Sequence, residues 1–362
     1  METRAGDPGA FAQFDLTRVP SPAFVVDAAK IRANLSVLRG IGDASGARVL
    51  AALKAFSMWP LGSTVAEYLD GVCASGLYEA KLGRAEYGGP SGDKEVATYC
   101  AGYKEADLPE IARLSDHLIF NSPGQITRFR RLLDALRAEG VTFDIGLRIN
   151  PMHSEGETPK YDPAAPCSRL GFPVTQLLPE HMEGIDGIHM HSLCEQDFPP
   201  LQRTWEAVQP MLYPFFSQLK WINFGGGHHV TRADYQTDDL IAFLKQVRAA
   251  TDCDVMIEPG EAIALDAGIL VGEVLDLFDN GMPTRLGGPS CLAGDVIGDY
   301  RLPGGARIGQ RFAFLDQAHY SMVKTNTFNG VPLPSIWLWD SETDELKLIR
   351  EFGYEDFKTR LG

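Results

Sequence analysis

The chain has 362 residues, 44% hydrophobic and 22% charged, an ordinary globular balance with ample material for a core. Its formal net charge of −15 argues against a nucleic-acid binder, which needs a basic footprint, and is compatible with a cationic ligand. No apolar run approaches the ~18 residues of a membrane helix. Residues 1–16 lack the basic start and apolar core of a signal peptide. The cysteines (Cys73, Cys100, Cys167, Cys194, Cys253 and Cys291) show no CxxC pair and no regular spacing, the usage expected of reduced thiols in a cytoplasmic protein.

Residues 1–20 are polar and run into Pro20-Ser21-Pro22. Ala23 to Val26 reads as a short strand, Asp27 as a helix N-cap, and Ile31, Leu35 and Leu38 as the apolar stripe of the helix that follows. Buried-strand candidates then fall at residues 48–53, 71–75, 95–99, 117–120, 142–149, 185–190, 220–224 and 253–257. Amphipathic stretches of helical length lie between most of them, at 61–70, 77–87, 106–115, 123–138, 199–218 and 236–250. Alternating strands and helices mean parallel β, and this count and spacing predict a (β/α)8 barrel, with a doubly wound open sheet as the alternative. Residues 151–169, rich in proline, form a long loop of the kind that serves a site or is disordered. After residue 260 glycine and proline become frequent (Gly287-Gly288-Pro289, Pro303-Gly304-Gly305) and short β-rich runs appear at 269–274, 312–315, 336–339 and 346–352. The expected architecture is α/β: a TIM-like barrel over 28–262 and a second, mostly β domain from 1–27 and 263–362.

Barrels carry their chemistry at the C-terminal ends of strands. The first strand ends in Lys54, where an unpaired ammonium would be costly unless it snorkels to water or is a catalytic amine. The second runs to Ser75 and Glu79, the fifth to Arg148-Ile149-Asn150, and the sixth to His189-Met190-His191. The seventh ends Asn223-Phe224 and opens into Gly225-Gly226-Gly227-His228-His229, and the eighth ends Ile257-Glu258-Pro259-Gly260. Three glycines let backbone N–H groups approach an anion, and the loops after strands seven and eight often bind phosphate in barrels. His189 and His191 share a strand face and could hold a metal, which would suggest a metal-dependent barrel hydrolase, but no matching ligand set ends the other strands. Lysine, phosphate loop, imidazole and carboxylate together point to pyridoxal phosphate (PLP).

These residues resemble the alanine-racemase-fold PLP decarboxylases of ornithine, arginine and diaminopimelate, and within them the carboxynorspermidine/carboxyspermidine decarboxylase family. The motifs that carry the likeness run in order through most of the chain: Ala52-Leu53-Lys54-Ala55-Phe56, Ser168-Arg169-Leu170-Gly171, His189-Met190-His191-Ser192-Leu193-Cys194-Glu195, Asn223-Phe224-Gly225-Gly226-Gly227-His228-His229, Ile257-Glu258-Pro259-Gly260-Glu261-Ala262, Cys291-Leu292-Ala293-Gly294-Asp295 and His319-Tyr320. The resemblance implies that Lys54 forms the Schiff base, His191 stacks on the cofactor ring, and Glu258 meets the pyridine nitrogen. It implies that Gly225, Gly226, Gly227 and Tyr320 hold the phosphate. It implies a homodimer with shared active sites, in which Cys291 and Asp295 enter from the other subunit, Cys291 to protonate the carbanion and Asp295 to hold a substrate amine. Glu195 and Glu261 would suit further amines of a cationic carboxylated polyamine. Glu261 stands where ornithine-type relatives have a phosphate-binding arginine, and Ser75 lies in a loop that departs from the serine-rich pattern. The implied reaction is decarboxylation of carboxynorspermidine or carboxyspermidine in polyamine biosynthesis. A diaminopimelate- or ornithine-type decarboxylase, or a racemase, is the alternative on the same fold, and a PLP-binding protein without catalysis is a further one.

Overall fold

The structure, a computed structural model, describes residues 6–89, 92–156, 159–278, 284–302 and 304–362. Parts of the N-terminal stretch (Met1 to Ala5), the long loop (Glu157 and Thr158) and the glycine-rich segment (Pro303) lie outside the described residues. The chain divides into two compact units, Ala33–Ile263 and a second one built from Met1–Arg32 and Ala264–Gly362.

β1 (Ala23–Asp27) runs directly into α1 (Ala28–Ser45). Asp27 caps that helix, its Oδ1 accepting from the Ala29 N–H at 3.0 Å. The strands that follow are β2 (Arg48–Ala52), β3 (Gly71–Ala74), β4 (Glu95–Cys100), β5 (His117–Phe120), β6 (Asp144–Asn150), β7 (Phe172–Pro173), β8 (Gly187–His189), β9 (Trp221–Asn223) and β10 (Asp254–Ile257). They pair in parallel in the order β5-β4-β3-β2-β10-β9-β8-β6, and β5 also pairs with β6, so the sheet closes on itself. β7 only extends the edge of β6. The eight predicted strands are thus the eight barrel strands. Between them lie α2 (Gly62–Tyr68), α3 (Leu77–Glu86), α4 (Leu108–Leu114), α5 (Pro123–Ala138), α6 (Phe198–Leu212) and α7 (Thr237–Thr251). The stretch 199–218, predicted as one helix, is not one: α6 stops at Leu212 and a 3-10 segment, Tyr213–Gln218, replaces the rest. Pro214 has no N–H with which to continue the helical ladder.

The barrel interior is filled, not hollow. Leu50, Ala97, Ile119, Trp221 and Met256 pack together there, with Cys73 and Tyr99 against them. The indole of Trp221 needs space that two strands supply by having no side chain. A Cβ at Gly187 would lie 2.0 Å from the indole ring, and one at Gly146 would lie 2.4 Å from it.

The remaining strands are β11 (Gly268–Glu273), β12 (Thr284–Gly287), β13 (Val296–Tyr300), β14 (Arg311–Leu315), β15 (Ser335–Asp340) and β16 (Glu345–Arg350). A five-stranded sheet runs β14-β11-β1-β15-β16, with β1 at its centre, antiparallel to β11 and parallel to β15. Its apolar face includes Phe11, Phe14, Val25, Ile269, Val271 and Trp339. The hairpin β12–β13 escapes the strand pattern in the sequence, because Thr284-Arg285-Leu286-Gly287 and Val296 to Tyr300 bury no continuous apolar face. Among the described residues no helix is long and apolar enough to cross a membrane.

Candidate active site

Side chains on a strand alternate, so the residue two places beyond a core position points the same way. Two places beyond the core layer stand Tyr99, Arg148, His189, Asn223 and Glu258. Arg148 is directly opposite His189 in register, and His189 is opposite Asn223. These form a polar floor above the apolar plug. Arg148, His189, Asn223 and Glu258 are all buried.

Glu258 is the anion of this floor. One carboxylate oxygen accepts from the Asn223 amide at 2.8 Å, and the other faces His189 Nε2 at 3.3 Å. Burial alone would push its carboxyl up, but His189, Lys54 and the Asn223 amide outweigh that and hold it at about 2. Burial pulls His189 below its ordinary value against the opposing pull of Glu258, and Nε2 is the ring nitrogen that faces the carboxylate. His191 is held well below its ordinary value by burial, then by Lys54 and Arg148. Its Nδ1 accepts the Gly226 N–H at 3.0 Å, which fixes both ring orientation and tautomer. The two imidazoles lie nearly parallel, 13° apart with centroids at 6.5 Å. His189 is turned to Glu258 and His191 to Gly226, and among the described residues neither ring belongs to a group of three or more side chains placed to hold a metal.

Lys54 is not buried at a strand end, as the sequence suggested. β2 stops at Ala52, and a turn closed by the Ala55 N–H on the Ala52 carbonyl (3.1 Å) leaves Lys54 exposed. The loop after β10 packs on this turn: the Ala52 N–H donates to the Pro259 carbonyl at 2.9 Å, and a Cβ at Gly260 would come within 2.8 Å of Ala55. Glu258 and Lys54 are therefore carried by two segments in direct backbone contact.

The glycine run differs from its first reading. The Gly225 N–H donates to Asn223 Oδ1 at 2.8 Å and the Gly226 N–H to His191, so both are committed within the protein. Cβ atoms at Gly225, Gly226 and Gly227 would lie 2.5, 2.1 and 2.0 Å from the carbonyl oxygens of Met190, Glu258 and Leu193. Gly225 and Gly227 also adopt φ of +66° and +88°. The run is glycine because backbone from neighbouring strand ends closes on it. Among the described residues, the N–H groups of Gly227 and His228 are the ones in this loop without a protein acceptor. The His228 ring is buried, its Nδ1 at 2.9 Å from the Tyr235 hydroxyl, and burial followed by His229 draws it down to about 4.

Of the outlying residues, Glu261 faces His229 at 3.4 Å, and Glu195 is exposed with φ +55°. Ser75 has its N–H donated to the Glu79 carboxylate at 2.6 Å. Cys291, Asp295 and Tyr320 belong to the other unit. There Cys291 is exposed and its N–H donates to Asn329 Oδ1 at 2.8 Å. Asp295 accepts from the Ser290 hydroxyl at 2.6 Å, and Tyr320 opens the short helix Tyr320–Lys324. Sequence reasoning gave no role to Arg148, Asn223 or Tyr99. The two-residue spacing from the core layer is the signal that finds them.

The barrel mouth fits PLP on its own chemistry. It offers an exposed amine, a buried ionised carboxylate, an uncharged imidazole, and two backbone N–H groups without a protein acceptor, those of Gly227 and His228.

No family model matches the chain. Carboxynorspermidine/carboxyspermidine decarboxylase of Campylobacter jejuni is 35% identical over 95% of this chain and 99% of its own length. Carboxyaminopropylagmatine decarboxylase of Synechocystis is also 35% identical, over 96% of this chain and 97% of its own. The crystal structure of Campylobacter jejuni carboxynorspermidine decarboxylase with norspermidine superposes with a TM-score of 0.83 and 33% identity, covering 94% of this chain and all of that one. Diaminopimelate decarboxylase of Helicobacter pylori, at 16% identity and a TM-score of 0.78, shares the fold, that of the PLP decarboxylases built on an alanine-racemase-like barrel. The chain belongs to the carboxynorspermidine/carboxyspermidine decarboxylase family.

Proposed function

We propose that the protein removes the α-carboxylate of a carboxylated polyamine, with PLP held at the barrel mouth. The observation that carries this reading is the pairing of an exposed Lys54 amine with a buried, ionised Glu258 on two segments in contact. Bound PLP supplies an electron sink for the carbanion left when CO2 departs. Lys54 carries the cofactor covalently. Glu258, ionised at any working pH, meets the ring nitrogen and keeps it protonated. His191, uncharged and fixed by Gly226, offers its ring face for stacking. The phosphate goes to the N–H groups of Gly227 and His228, whereas Gly225 and Gly226 shape the loop.

The active unit is a homodimer. Leu292, Val296 and Ile297 are 57%, 45% and 46% exposed around the Cys291 loop, an apolar surface that suits a second copy. Cys291 and Asp295 then serve the other subunit's site: the Cys291 thiol returns a proton to Cα, and Asp295 binds a substrate ammonium, with Glu195 and Glu261 taking others. The six cysteines are unpaired, in keeping with a cytoplasmic enzyme.

Carboxynorspermidine and carboxyspermidine are the substrates this reading favours. Carboxyaminopropylagmatine is the second reading, since the Synechocystis relative is as similar as the Campylobacter one. CO2 release and amine products measured with all three carboxylated polyamines, and with diaminopimelate, decide the matter. Turnover of diaminopimelate alone, or loss of chirality without CO2, would overturn the polyamine assignment. Purified protein should be yellow with added PLP, and Lys54→Ala should remove the colour. A colourless protein carrying zinc would return the case to a hydrolase.

A further inference from the structure

Arg148 is a buried cation that the reading above does not use. It is 5% exposed, and among the described residues no carboxylate comes within ion-pair distance of it. Its Nη2 donates to the His191 carbonyl at 3.0 Å, and its guanidinium carbon lies 4.5 Å from the centroid of the Tyr99 ring. Tyr99 in turn stacks on His189 with centroids 5.6 Å apart and ring planes at 19°. His189 faces Glu258. The Tyr99 hydroxyl donates to Asn121 Oδ1 at 2.6 Å, away from the column.

A lone buried charge is strongly unfavourable, and so is a buried carboxylate without a cation. The floor contains one of each, joined by two stacked rings. We propose that Arg148, acting through Tyr99 and His189, is the counter-charge that keeps Glu258 ionised and aimed at the mouth, and so is a positioning residue for the reaction. This rests on the cofactor reading above. The titratable and charged groups around Glu258 are Lys54 after β2, Cys73 on β3, Tyr99 on β4, Arg148 on β6, and His189 and His191 at the end of β8, with Asn223 on β9 as a neutral donor. Burial and the nearby Glu258 push the Cys73 thiol up, so it adds no charge. Burial draws both imidazoles below their ordinary value. Lys54 and the ring nitrogen that Glu258 would meet belong to the mouth, so Arg148 is the cation that the floor itself supplies.

The test uses PLP-loaded enzyme carrying Arg148→Met, Arg148→Lys, Tyr99→Leu or Tyr99→Phe. Two readouts are taken across pH: the visible absorbance of the cofactor and the acid limb of unfolding stability. Arg148→Met and Tyr99→Leu should stay coloured while the acid limb and the absorbance midpoint move up by about one pH unit, tenfold in proton affinity. Arg148→Lys and Tyr99→Phe, which keep the charge or the ring, should stay within about twofold of the parent. A merely structural role would lower stability or loading without moving the midpoint. Coloured Arg148→Met and Tyr99→Leu proteins with an unmoved acid limb overturn the proposal. If Arg148→Met does not fold or load, Tyr99→Leu decides by the same criterion, and if that also fails, a loss not restored by Tyr99→Phe counts against it. A parent that stays colourless with PLP refutes the cofactor reading itself, a result distinct from an unmoved limb.

Discussion

Asn223→Ala is the substitution on which the geometry of the floor can be tested most directly. Asn223 is wholly buried and works in two directions. Its amide donates to Glu258 at 2.8 Å, and its carbonyl oxygen accepts the Gly225 N–H, also at 2.8 Å. Alanine strands both partners. A buried N–H left without an acceptor costs about 1–3 kcal/mol, and losing a donor to a buried carboxylate costs about 1.5–3 kcal/mol. The sum is about 2.5–6 kcal/mol. Equilibrium urea unfolding of the barrel, followed by far-UV circular dichroism, measures it. Asn223→Asp tests the same pair with the opposite sign of charge: it keeps an acceptor for Gly225 but sets a second carboxylate against Glu258, so one of the two must take a proton. The Asp variant should therefore recover stability as pH falls toward the acid side, whereas the Ala variant should not. An Ala variant within about 0.5 kcal/mol of the parent, the range of inconsequential surface changes, would refute the account of the floor.

Three further outcomes follow from separate features. Gly187→Ala sets a methyl 2.0 Å from the Trp221 indole and should destabilise the barrel by about 1–3 kcal/mol or prevent its folding, read by chemical denaturation. Glu258 is depressed from 4.5 to about 2, so its contribution is full above the ordinary value and is lost as pH falls through about 2; Glu258→Gln should flatten the acid limb of stability between those values, and an unchanged limb would remove the inference. Cys291→Ala should keep the cofactor's colour but slow turnover by about 10²-fold or more, the scale of a lost general acid, and full activity would end its role as proton donor.

The barrel was legible because it rests on a signal that sequence carries strongly: short apolar runs buried on both faces, spaced by amphipathic stretches. The β12–β13 hairpin was not, because neither strand buries an apolar face. The end of α6 was legible in principle, since Pro214 stands inside the predicted helix. At the site, Lys54, His191 and Glu258 announce themselves as ionisable residues at strand ends. Arg148 and Asn223 also stand at strand ends but suggest no role there, and Tyr99 does not stand out at all. Their part in the floor depends on which strand faces which, and on a register that only the closed barrel defines.

The glycine run shows where residue type alone misleads. A triple glycine after the seventh strand looks like an anion cradle, because glycine both frees the backbone and exposes its N–H groups. Here the first two N–H groups are already donated, one to Asn223 and one to His191, and each missing Cβ is filled by a carbonyl from a neighbouring strand end. The same three residues thus join the floor to the imidazole above it: Asn223 holds Glu258 and Gly225, and Gly226 holds His191. A larger residue at Gly226 would push against the Glu258 carbonyl and release the His191 ring at once. The glycines matter to the chemistry, then, chiefly through the side chains they orient, and any direct hold on a phosphate begins only at Gly227.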